Sequence, residues 1–89
     1  MLFMTIYTYD PTNRDAIVKR RVEKGGMLPK GMESIGEWSS LGGGRVFRLV
    51  EATDPSAMMA ASFAWSDLGK VEVYPVMETE EVLQTVVGK

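Results

Sequence analysis

Histidine and cysteine are both absent from this chain of 89 residues. That removes the usual general base near neutral pH, the commonest metal ligand, the usual axial haem ligand, thiolate nucleophiles and disulfides. Chemistry must come from carboxylates, tyrosines or arginine, and no metal or cofactor is expected. The constellation that stands out is Arg48, Tyr7 and Glu72, with Tyr74 two residues further on. Each lies in a β-patterned run (RVFRLVE, LFMTIYTY and VEVYPVM), where residues two apart share a face. Lined up across adjacent strands, Arg48 would grip an anionic or enolate oxygen. Glu72 or Tyr7 would move a proton while aromatic rings hold a small ring. The same residues also read as a structural ion pair, because a buried arginine is costly unless Glu72 or Glu37 partners it.

The elements that must position these groups follow the order strand, helix, strand, strand, helix, strand, with an amphipathic tail. Leu2 to Tyr9 is the first strand. Asp10-Pro11-Thr12-Asn13 is turn chemistry, and Ile17, Val18 and Val22 then follow helical spacing, over about residues 13 to 24, until Gly25-Gly26. A second strand runs from about Glu33 to Ser40, and Gly42-Gly43-Gly44 is a hairpin loop without the lysine of a phosphate loop. Arg45 to Glu51 is the third strand. Asp54 caps a second helix with Pro55 in its first position, and that helix reaches about Trp65. Met58, Ala61 and Trp65 share one side of it, Met59 and Phe63 the other. Val71 to Met77 is a fourth strand whose Pro75 suits an edge or an end. Thr79 is expected to cap a last helix striped by Val82, Leu83, Val86 and Val87.

This order predicts one α+β domain over residues 1–89, a ferredoxin-like βαββαβ antiparallel sheet in the order 4-1-3-2 with both helices on one face. A half-solvated sheet would show one uniformly polar face. Here Phe3 and Tyr7 oppose Met4 and Ile6, and Val46 and Val50 oppose Phe47 and Leu49, so both faces of the central strands look buried. The expected partner is a second copy, giving a homodimer with the tail stripe or Met59 and Phe63 helping. A monomer whose tail folds over the open face is the alternative.

The runs Gly26-Met27-Leu28-Pro29-Lys30-Gly31, Glu37-Trp38, Gly43-Gly44-Arg45-Val46-Phe47, Asp54-Pro55 and Trp65 to Val76 (WSDLGKVEVYPV) resemble a family of small stand-alone prokaryotic proteins. That family is of unknown function and related to the dimeric α/β-barrel superfamily. The resemblance spans nearly the whole chain, implies the fold and the dimer, and carries no functional residue with it. In such a barrel the sheet and its loops enclose a cavity. If Met4 and Ile6 face the helices, Phe3, Thr5 and Tyr7 face that cavity. Phe47 and Leu49 turned to the helices put Val46, Arg48 and Val50 there, and Val71 with Val73 inward sends Glu72, Tyr74 and Val76 the same way. An even-length hairpin loop sets Glu37 opposite Arg48, an odd one sets Trp38 there, and charge pairing favours Glu37. The candidate cavity residues are Tyr7, Glu37, Trp38, Arg48, Glu72 and Tyr74, while Trp65 reads as core.

Composition bounds the function. The chain is 45% apolar and 25% charged with net charge −2, an ordinary globular balance. It has no secretory pattern or membrane-length apolar run, so a cytoplasmic protein without a membrane partner is expected. Lys19, Arg20, Arg21 and Lys24 are interleaved with Glu23, lack an aromatic platform and read as a solvated helix face, and nucleic acid is not an expected partner. Three functions stay open. They are a dimer binding a small apolar or aromatic molecule, a cofactor-independent monooxygenase or isomerase, and a structural or interaction dimer.

Overall fold

The fold was obtained as a computed structural model that describes residues 1–88. Its spine is β1 (Leu2–Thr8), whose β-branched and aromatic run pairs antiparallel with β3 (Arg45–Ala52) on one side and β4 (Lys70–Pro75) on the other. The outer partner of β3 is β2 (Met32–Ser39), so the sheet order is β2-β3-β1-β4, which counted from the β4 edge is 4-1-3-2. Pro75 ends the edge strand β4, where its missing N–H costs no ladder bond. The β2–β3 turn closes with Ser40 N–H donating to the Arg45 carbonyl at 2.9 Å, leaving the even-length loop Leu41 to Gly44 and setting Glu37 directly opposite Arg48.

Two helices lie on one face. A turn of 3-10 helix at Pro11–Asn13, capped by Asp10 accepting from the Thr12 N–H at 3.0 Å, leads into α1 (Arg14–Lys24). Asp54 caps α2 (Pro55–Trp65) by accepting from the Ala57 N–H at 2.9 Å. The apolar centre is the fully buried Val50 with Ala52 and Met58, against which Phe3 and Met32 pack. Ala57, Ala61, Trp65 and Ile17 are buried beside it, whereas Met59 and Phe63, on the far side of α2, are exposed.

The last helix, α3 (Thr79–Val86), corrects one expectation: Glu78 holds the capping position without a side-chain bond, and Thr79 is already the first helical residue. Every described side chain of α3 is exposed, its Val82, Leu83 and Val86 included. No helix among the described residues is long and apolar enough to cross a membrane.

The run Trp65 to Gly69 is where α1, α2 and β1 are bolted together. The Trp65 carbonyl accepts from the Tyr7 hydroxyl at 2.9 Å, and the Leu68 carbonyl from Asn13 Nδ2 at 3.0 Å. Arg20 reaches the Ala64 carbonyl at 3.0 Å and grips Asp67 through both terminal nitrogens at 2.8 and 2.7 Å. Its guanidinium also sits 5.5 Å from the centre of the Trp65 ring. Gly69 makes this closure sterically possible. A Cβ there would lie 2.7 Å from both the Thr8 carbonyl oxygen and the Tyr7 ring.

Candidate functional site

The faces are the reverse of the parity expected for β1 and β3. Phe3, Thr5 and Tyr7 point toward the helices together with Val46, Arg48 and Val50, as the core contacts of Phe3 and Val50 and the Tyr7–Trp65 bond require. Met4, Ile6, Phe47 and Leu49 occupy the opposite face. The sequence misleads because both sets are largely apolar, so alternation marks two faces without saying which meets the helices. The polar positions Thr5 and Arg48 are tolerated beneath the helices because Thr5 is satisfied internally, its hydroxyl donating to the Arg48 carbonyl at 3.1 Å, and because α1 and α2 do not close over the sheet completely.

Between the sheet and the two helices they leave a half-open cleft of about 390 Å³. Its floor includes Thr5, Tyr7, Val46 and Arg48, with Val71 and Glu37 at the sides. Val18 and Val22 of α1 edge it from above, 54% and 79% exposed, so apolar surface is presented at the rim. Of the six candidate residues, Tyr7, Glu37 and Arg48 line this cleft, which lies on the helix side of the sheet and not on the open face where the cavity was expected. The other three do not. Register places Glu72 opposite Ile6, Tyr74 opposite Met4 and Trp38 opposite Phe47, all on the face away from the helices. There the Tyr74 hydroxyl donates to Glu72 at 2.9 Å, and the Trp38 indole folds so closely over Gly36 that a Cβ would lie 2.6 Å from it.

Arg48 is left without its expected partner. Glu72 is on the wrong face, and Glu37, although directly across the ladder, gives both oxygens to Arg21 at 2.8 and 2.6 Å. Among the described residues nothing accepts a hydrogen bond from the Arg48 guanidinium, and none of its nitrogens is sealed from solvent. The side chain lies against the α1–β2 loop, with Nη1 3.3 Å from where a Gly26 Cβ would stand. Burial pulls its pKa below the ordinary value, which the Glu37 charge partly offsets, and an arginine remains cationic under such a shift. Arg21 holds the Glu37 carboxyl below its usual range. Burial pushes the Tyr7 phenol up, and the Asp67 charge adds to it. Glu37, the carboxylate lining the cleft, is therefore a poor proton acceptor, and no cluster of metal-ligating side chains exists among the described residues.

The protein family described as "Domain of unknown function (DUF3303)" matches residues 1–89. The chain belongs to that family. A comparison with curated proteins found no match. Membership names no chemistry, and the start of the Trp65 to Val76 run that carries part of the resemblance joins the helices to the sheet.

Tyr9 and Arg21 are among the cleft residues that the sequence did not single out. Tyr9 stands beside Tyr7 with ring centres 5.9 Å apart, beyond the end of β1. Arg21 was absorbed into the basic cluster, yet Arg20 and Arg21 stand three and four residues after the buried Ile17. That spacing turns both inward, Arg21 to Glu37 on β2 and Arg20 to Asp67 in the turn after α2, and it is the signal that separates them from Lys19 and Lys24.

Proposed function

We propose that the chain is a small-molecule-binding protein whose cleft between the sheet and the helices holds a compact, largely apolar or aromatic compound without transforming it. The carrying observation is the half-open, mainly apolar cleft of about 390 Å³, at the small end of ligand pockets, with an uncommitted guanidinium at its floor. Binding is favoured over proton-transfer catalysis because the cleft carboxylate is committed to Arg21 and depressed in pKa, while the Tyr7 proton is engaged by a backbone carbonyl. A purely structural role for Arg48 fits less well, since no carboxylate among the described residues accepts a hydrogen bond from it.

The working unit in this reading is a ferredoxin-like homodimer of the dimeric α/β-barrel kind, packed through the sheet face bearing Met4, Ile6, Phe47 and Leu49. That face carries neither α1 nor α2, and Trp38 and Tyr74 on it are 56% and 46% exposed. The exposed α3 stripe adds to the apolar surface available to the second copy, whereas Met59 and Phe63, expected to help, lie on the outer side of α2, away from this face. Native mass spectrometry of freshly purified protein tests both parts. A dimer carrying a small mass that is shed on denaturation is expected. A monomer would end the dimer reading, and a ligand-free protein that takes up no apolar or aromatic compound would end the binding reading.

A further inference from the structure

We infer that the compound held in the cleft is an organic monocarboxylate, with its carboxylate on the Arg48 guanidinium and its apolar body against Val18, Val22, Val46 and Val71. This rests on the reading of the cleft as a binding site and adds the chemical class of its occupant. The charges lining the cleft are Arg21, Arg48 and Glu37, which leave one net positive charge. Arg21 and Glu37 neutralise each other in a two-bond pair, so the free charge is localised on Arg48. A partly desolvated guanidinium with no acceptor is a planar fork of donors whose natural complement is a planar carboxylate, bound by two charge-assisted hydrogen bonds. A phosphate dianion asks for more. It would want a second free cation or a nest of backbone N–H groups, and among the described residues the cleft's other arginine is already spent. The walls set the remainder of the molecule: Val46 and Val71 rise from the sheet, Val18 and Val22 edge α1, and none of these offers a polar atom from its side chain.

The test is a titration of isotope-labelled protein, followed by the backbone amide signals of Thr5, Arg48 and Ser62. The probes are 2-naphthoate, the neutral 2-naphthamide of nearly the same shape, and inorganic phosphate. Naphthoate is expected to shift these cleft signals with a Kd roughly tenfold or more below that of naphthamide, the gain of a charge-assisted over a neutral contact. Phosphate is expected to bind more weakly than naphthoate. Arg48→Met should abolish the preference for the carboxylate while naphthamide binds as before, and Arg48→Lys, which keeps the charge and loses the fork, should lose most of it. Equal affinities for the two aromatics, a preference that survives in either variant, or tighter binding of phosphate overturns the inference and leaves the cleft a binding site. If neither aromatic moves the cleft signals, the binding reading and this inference fall together.

Discussion

At the scale of single residues, Arg48 is the position whose sequence reading and structure differ most usefully. An arginine locked in a buried ion pair would take about 3–5 kcal/mol of stability with it when its partner is stranded. Among the described residues no hydrogen-bonded partner is there to be stranded, so Arg48→Met is expected to leave unfolding free energy within about 0.5 kcal/mol of wild type, or to raise it as a desolvated charge is removed. Urea denaturation reads this directly, and a loss of several kcal/mol would restore the structural ion pair. Glu37 gives a second prediction. Its folded pKa lies below its ordinary 4.5, so its contribution is fully present above that pH and is lost as pH falls through the folded value. Glu37→Gln should therefore cost about 1 kcal/mol at neutral pH, and the deficit should shrink as the pH is lowered below the ordinary carboxylate value. The Arg20–Asp67 pair is the same in both proteins and cancels from the comparison of their melting temperatures.

Elements were legible where a single local signal decides them. Asp54-Pro55 starts α2 where expected, and Asp54→Ala should cost about 0.5–2 kcal/mol in a thermal or urea melt because the Ala57 N–H loses its acceptor. Glu37 opposite Arg48 was one of two registers open to the sequence, favoured by charge pairing, and the observed even-length loop gives it. Thr79 failed as a cap because the chain at Glu78 is still extended and turns helical one residue earlier than a Thr79 cap would require. The Trp65 to Gly69 junction was invisible as a device, since its bonds join residues more than forty positions apart. Gly69→Ala probes it. The new methyl meets backbone as well as the Tyr7 ring, so it should cost about 1–3 kcal/mol and disturb the tyrosine that floors the cleft. A change confined to stability, with the Tyr7 ring signals unmoved, would show that the junction does not position the site.

For the whole molecule, the shape is the informative quantity. The radius of gyration is 14.7 Å, against roughly 12 Å for a compact chain of this length, and the shortest principal extent is 17 Å. The accessible surface of 6273 Å² exceeds by roughly 1,000 Å² that of a typical monomer of this mass, close to what one partner contributes to a standard interface. A two-layer molecule with an uncovered apolar sheet face and an unpacked terminal helix has the surface that the proposed dimer would cover. In the proposed dimer, Leu49→Lys places a charge on that face and is expected to shift native mass spectra from dimer to monomer, while a charge at the exposed Val22 on the helix side leaves the dimer intact. Dimers persisting in Leu49→Lys would move the interface elsewhere, to α3 or the outer side of α2.

Composition and local pattern alone determined the order of the elements, the sheet neighbours, the caps of the first turns, the core role of Trp65 and the absence of histidine and thiol chemistry. These depend on residue type and on periods of two and 3.6, all of which are local. Only the tertiary structure decided which face of the sheet meets the helices, because Phe3 with Tyr7 and Met4 with Ile6 are nearly equivalent as apolar pairs and burial energy barely distinguishes them. That choice carried Tyr7, Glu37 and Arg48 into the cleft and left Trp38, Glu72 and Tyr74 on the other side. It also decided the fate of one carboxylate. Glu37 faces two arginines, and the helix that brings Arg21 within 2.6 Å leaves Arg48 without a hydrogen-bonded carboxylate among the described residues.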